Sequence, residues 1–165
     1  MFKQMVSLVV LAAAVLGSSP VLAADDARTS IHITANIPNK QFHVQPRDPE
    51  FGKNEVMLYN EVTQWMSRIR HTYDVKNTDG SVHAYILEGH RPWLSNGRTA
   101  IELGVTFNDV RLRGTPLEVV DDASSTPGTQ AEMVIFADGM PADRDPGVYI
   151  GSFTVIFDAV PRVAI

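Results

Sequence analysis

Cysteine is absent from all 165 residues. That excludes a disulfide frame, a thiolate metal site, a thiol nucleophile and a lipid anchor on an N-terminal cysteine. Positive charge is also scarce: 14 Lys and Arg face 19 Asp and Glu, for a formal charge of −5. No basic cluster exceeds two residues, which argues against nucleic acid. The longest apolar run, Met5 to Gly17, is about 13 residues and too short for a bilayer span. Missing too are a G-x-S-x-G elbow, an H-E-x-x-H pair, a phosphate-binding Walker loop and a G-x-G-x-x-G turn. The five histidines are scattered; His83 and His90 flank one strand, close enough in sequence to meet in space, but a solvated or hydrogen-bonded role is the expectation for them. Asp138, Asp143 and Asp145 share a loop but lack the calcium-loop spacing, and Arg144 lies among them.

What is present begins with a leader. Lys3, the apolar run and "SSPVLA", with small residues at Val21 and Ala23, form a signal peptide over residues 1–23. Cleavage after Ala23 leaves Ala24 to Ile165, 142 residues with a formal charge of −6. That is one domain's length, able to bury roughly two thirds of its unfolded surface. With no disulfide available to an exported chain, its stability must come from packing and from whatever binds it.

The rest reads as short β-strands divided by turn signals, without a convincing helix. "SIHITANIP" alternates Ile31, Ile33, Ala35 and Ile37 against His32, Thr34 and Asn36, the period of a half-buried strand. A connecting loop follows, with a short strand around Phe42 to Val44. Next come alternating segments around Met66 to Tyr73 and "SVHAYILEG", separated by the Asp79-Gly80 turn signal. "HRPWLSNG" reads as a loop, and Ile101, Leu103, Val105 and Phe107 mark a clean strand. "DDASSTPGTQA" is the most polar loop, followed by strands in "EMVIFADG" and "GVYIGSFTVIFDAV". In the last, Gly147, Tyr149, Gly151, Phe153 and Val155 share one face, and Gly151 suggests a bulge or a close backbone approach. The pattern predicts an all-β, antiparallel sandwich of immunoglobulin-like size.

These segments, in this order and behind a leader, resemble the alpha class of chaperone–usher fimbriae, the colonization-factor-antigen (CS-type) major subunit family. "SIHITANIP" is similar to the family's N-terminal donor segment, and "HTYDVKNTDGSVHAYI" to its central hairpin. "LEGHRPWLSNGRTAIELGVTFNDVRLRGTPLEV" follows its loop, alternating strand and short hairpin, and "PGVYIGSFTVIF" its closing strand. Trp65, Trp93, the basic run Arg68, Arg70, His71 and the tail "AVPRVAI" lie outside the pattern.

The resemblance implies an incomplete sandwich that lacks its final strand and takes one from a neighbour. Residues 24–38 would be the donor segment, with Ile31, Ile33, Ala35 and Ile37 entering pockets, and residues 39–165 the pilin domain. Gly147, Tyr149, Gly151, Phe153 and Val155 would line the acceptor groove. Implied partners are identical subunits in a linear homopolymer, a periplasmic chaperone, an outer-membrane usher and a tip adhesin, with no cofactor, metal or catalysis. Export through the periplasm would end at the cell surface, in a fimbrium that supports adhesion. Two other readings stay open. One is a minor or tip subunit. The other is an exported carbohydrate-binding or hydrolytic β-sandwich, for which Ile31 to Ile37 is simply the first strand of a complete fold and Trp93 with Glu88 the nearest candidate site.

Overall fold

The computed structural model describes residues 41–87, 89, 91–139 and 145–163, all of them in the compact unit Ile37–Ile165. Its strands are β1 (Phe42–Pro46), β2 (Tyr59–Asn60), β3 (Trp65–Met66), β4 (Ile69–Asn77), β5 (Gly80–Ile86) and β6 (Trp93–Ser95). There follow β7 (Ala100–Phe107), β8 (Val110–Arg111), β9 (Leu117–Val120), the helical turn α1 (Asp122–Ser125), β10 (Thr129–Ala137) and β11 (Val155–Pro161). Every strand pairing is antiparallel. One sheet runs β1-β4-β10-β7-β6, with β8 hairpinned onto β7. A three-stranded sheet runs β11-β5-β9, and β2 pairs β3 in a separate ribbon.

The core lies between the two sheets where alternation brings apolar residues inward. On β7, Ile101, Leu103, Val105 and Phe107 are all buried, as the period-2 pattern requires. Phe107 stacks edge-on against Tyr73 of β4 and Phe157 of β11, with ring centroids 5.3 and 4.9 Å away. The β7–β8 turn places Asn108 and Asp109 both at positive φ, the twist that a two-residue hairpin needs.

Three sequence expectations are corrected here. The Asp79-Gly80 step is a turn, but β4 and β5 do not form a hairpin: β4 pairs β1 and β10, whereas β5 pairs β11 and β9. The turn carries the chain from one sheet to the other. Buried Asn77 holds it, donating to the Ser81 carbonyl at 2.7 Å and accepting from the Asp79 amide at 3.1 Å. Gly80 is needed because a Cβ there would lie 2.1 Å from the Val160 carbonyl oxygen of β11. Second, "HRPWLSNG" is not all loop, since β6 pairs with β7 from Trp93 to Ser95. Third, the closing strand is Val155–Pro161 rather than Gly147 to Phe157. The "AVP" tail is strand, and Gly147 to Thr154 is not, apart from an isolated bridge at Ile150.

The basic run outside the family pattern is accounted for locally. Arg70 pairs with Glu132 across β4 and β10 at 2.6 Å, and His71 lies against the Phe51 ring with centroids 4.0 Å apart. Arg68 and Arg111 both sit over the Phe136 ring, at 5.5 and 5.7 Å.

Past β11, Arg162 grips Asp122 of α1 in a bidentate pair at 2.5 and 2.7 Å. The Arg162 and Thr126 hydrogen bonds hold the Asp122 carboxyl down at about 2, from an ordinary 3.8. A carboxylate depressed on folding adds stability that is complete above its unfolded pKa and fades as pH falls from about 3.8 toward 2. Urea melts at pH 5 and pH 2.5 should therefore differ more for the natural protein than for Arg162→Ala. The pair is exposed, so the difference should be small and shrink in salt. Equal acid losses in the two proteins would contradict this role for the pair.

Candidate acceptor groove

Three strands do not cover a path of five. At the end of the sandwich where β4 begins and β10 ends, the inner face of the larger sheet lies under an open groove of about 1070 Å³. Its floor is Ile69 and Tyr73 of β4, Met133 and Ile135 of β10, Ile101 and Leu103 of β7 and Leu94 of β6. One wall is the segment 51–57 with Tyr59 and Met66 of the ribbon, and the other is Asp145 to Phe153 with Val155 of β11.

The second wall explains why the expected strand is broken. Ile150 exchanges backbone hydrogen bonds with Ser95 of β6, at 3.0 and 2.9 Å, in the larger sheet. Four residues later, the Thr154 carbonyl accepts from the Leu87 amide at 3.0 Å, at the end of β5 in the smaller sheet. The segment crosses between sheets, so it cannot continue as one strand of either. Gly151 permits the crossing: a Cβ there would stand 2.1 Å from the Trp93 carbonyl oxygen. That is the close backbone approach the sequence suggested. Tyr149 fixes the start of the wall, its hydroxyl donating to the Asp145 carbonyl at 3.0 Å and lying 2.6 Å from Thr99 Oγ1.

All five of the closing residues named from sequence, Gly147, Tyr149, Gly151, Phe153 and Val155, border this groove, although only Val155 belongs to β11. Phe153, Val155 and Phe157 are half-buried, and no residue of β11 reaches the full burial found on β5 or β7. Among the described residues β11 is paired on one side only, with β5. The other named set, Ile31, Ile33, Ala35 and Ile37, lies outside the described residues. Sequence reasoning missed the floor, because Ile101, Leu103, Met133 and Ile135 are themselves buried and carry the same alternation as the rest of the core. It also missed the wall at 51–57, a stretch without strand periodicity.

The groove is built for an apolar guest, with polar groups at its rim. Tyr73 places a phenol on the floor, 3.8 Å from the Met133 sulfur. Burial pushes that phenol up to about 12, with the Glu55 carboxylate adding to the effect, so it stays neutral over the physiological range. Among the described residues there is no group of three His, Cys, Asp or Glu placed to hold a metal ion. His83 lies 3.9 Å from Glu118, an ordinary surface pair, and Asp138 pairs with Arg111. Glu88, His90 and Asp143 lie outside the described residues. Trp93 is exposed on β6 and is not among the groove residues.

No curated protein sequence matches the chain. Among solved structures, the fold is similar to the CooA pilin subunit from enterotoxigenic Escherichia coli, with a TM-score of 0.55 at 17% identity. The match covers 70% of this chain and 86% of that one, and at such low identity it speaks for the fold alone. The family described as CS1 type fimbrial major subunit matches residues 27–158. With four fifths of its length matched, the chain belongs to the CS1 type fimbrial major subunits, structural pilins exported to the cell surface as parts of a fimbrium.

Proposed function

We propose that this subunit forms the shaft of its fimbria by donor-strand complementation. The segment carrying Ile31, Ile33, Ala35 and Ile37 in one copy enters the groove of the next and lies along the free side of β11. The single observation that carries this reading is the open apolar groove that reaches Val155, the first residue of a last strand paired, among the described residues, on one side only. Strand addition supplies main-chain hydrogen bonds to β11, and alternate side chains reach the floor at Ile69, Met133, Ile135 and Leu103. Each copy both gives and receives, so the contact is heterologous and non-closing, and it grows a fibre rather than a ring. The subunit's role is mechanical, with no bond made or broken.

On this reading residues 1–23 are removed on export, and a periplasmic chaperone fills the groove until an outer-membrane usher exchanges it for the next subunit's segment. A tip adhesin ends the fibre. A carbohydrate-binding or hydrolytic sandwich would need Trp, Asp and Glu converging in a cleft, and the groove floor is aliphatic and aromatic instead. Expressed in a periplasm without its chaperone, the mature chain should be degraded or polymerise, and co-expression of the chaperone should raise soluble subunit at least tenfold. A chain that accumulates alone as a stable monomer would count against the reading.

A further inference from the structure

We propose that the β2–β3 ribbon is a second docking surface for a neighbouring copy, receiving the folded body of the subunit whose N-terminal segment occupies the groove. The inference rests on the strand-donation reading above and adds a body-to-body contact to it.

The ribbon's composition sets it apart. From Val56 to Trp65 the sole charged residue is Glu61, in a chain that is 20% charged. Within that stretch Val56, Leu58 and Val62 are 69%, 67% and 93% exposed, and Tyr59 and Trp65 are exposed as well. Soluble surfaces scatter large apolar side chains singly, and a contiguous patch marks an interaction site. The display is ordered. The Leu58 amide donates to Ser67 Oγ and the Ser67 amide to the Leu58 carbonyl, both at 2.8 Å. Asn60 Oδ1 accepts from the Val62 and Thr63 amides at 2.9 and 3.0 Å, which turns Val62 out at the tip. Two strands of two residues are marginal alone, so a ribbon shaped to hold apolar groups in water calls for a partner.

Position and chain length identify that partner. Val56, Met57 and Tyr59 belong both to this stretch and to the groove wall, so the patch is continuous with the groove. From Ile37, the last apolar residue of the donor segment, to Phe42 at the start of β1 is five residues, which span at most about 18 Å. The donor's sandwich therefore begins within that distance of the groove. The end it must present holds exposed Phe42 and, across the Thr78–Gly80 turn, exposed Val163. Gln41 and Thr78 bond to each other at 2.8 and 3.0 Å, and the Arg162 amide donates to the Asp79 carbonyl at 2.8 Å, so both residues flank this turn. An apolar base on a short tether meets an apolar ribbon.

The test uses the full mature chain carrying Leu58→Ser and Val62→Ser, both exposed positions. Its initial rate of polymerisation should fall at least tenfold. The concentration of a synthetic Arg28–Pro38 peptide that halves the remaining rate should not change, because the groove is intact. An unchanged rate overturns the proposal. Loss of peptide competition in the variant alone also overturns it, since the ribbon would then be part of the groove rather than a second surface. A peptide that fails to compete even with the natural chain removes the strand-donation reading and this inference with it. The absence of cysteine allows the occupant to be identified: fibres mixed from Val62→Cys and Phe42→Cys subunits should give a disulfide-linked pair on mild oxidation. Formed fibres without that pair would exclude the base as the occupant.

Discussion

Mature chain lacking residues 24–37 gains about 10 °C in melting temperature when the Arg28–Pro38 peptide is added at a hundredfold excess over its dissociation constant. Saturation of that degree adds about 2.7 kcal/mol, and a domain of this size moves roughly 4 °C per kcal/mol. The same peptide with Ile33→Asp should add nothing, because a carboxylate driven into the groove loses its hydration without finding a partner. Three isoleucines and Ala35 contribute roughly 5–9 kcal/mol by transfer from water. About eight main-chain hydrogen bonds add on the order of 1 kcal/mol each. Ordering eight residues costs about 8–16 kcal/mol, so within the segment itself the terms nearly cancel. The balance is tipped by the groove's apolar lining, where Val56, Val148 and Ile150 are exposed and Ile69, Phe153 and Val155 only half-buried until something covers them. An unmoved melting curve would mean that the floor is already sealed.

The second large effect is on fibre length. A copy without residues 24–37 can still receive a strand but has none to give, so each one incorporated ends its fibre. Mixed at one part in twenty with full mature chain, it should limit the mean length to about twenty subunits, because a heterologous chain has no way to close or bypass such an end. Full chain carrying Ile33→Asp should act in the same manner. Electron microscopy of length distributions reads this directly. Lengths that ignore the truncated copy would show that residues 24–37 are not the link.

Much of this was visible in the residues. Period-2 alternation located β7 and most of β4, because one face of each strand is sealed and the other wet, whereas β10 starts at Thr129, three residues inside the stretch that reads as the most polar loop. Gly151 announced a close backbone contact, and the Trp93 carbonyl supplies it. Pairing was less legible. Asp79-Gly80 reads as a hairpin turn, but whether the strands on either side lie in one sheet depends on Asn77 and on contact with Val160, both settled by tertiary packing. Tyr149, Phe153, Val155 and Phe157 alternate like one strand although the backbone changes sheets between Ile150 and Thr154. Periodicity records which side chains turn inward, not which neighbour the backbone bonds. For the same reason the groove floor was invisible in the sequence: Met133 under an opening and Val105 under a sheet obey one pattern.

Amide hydrogen exchange along Val155–Pro161, compared between assembled fibres and the chain lacking residues 24–37, tests strand donation most directly. Amides that point toward β5 should be protected in both states. Those on the opposite edge should exchange rapidly in the truncated monomer and slow at least a hundredfold in the fibre, as a borrowed strand closes over them. Identical exchange on that edge in the two states would contradict the account, because the sandwich would then be finished without its neighbour.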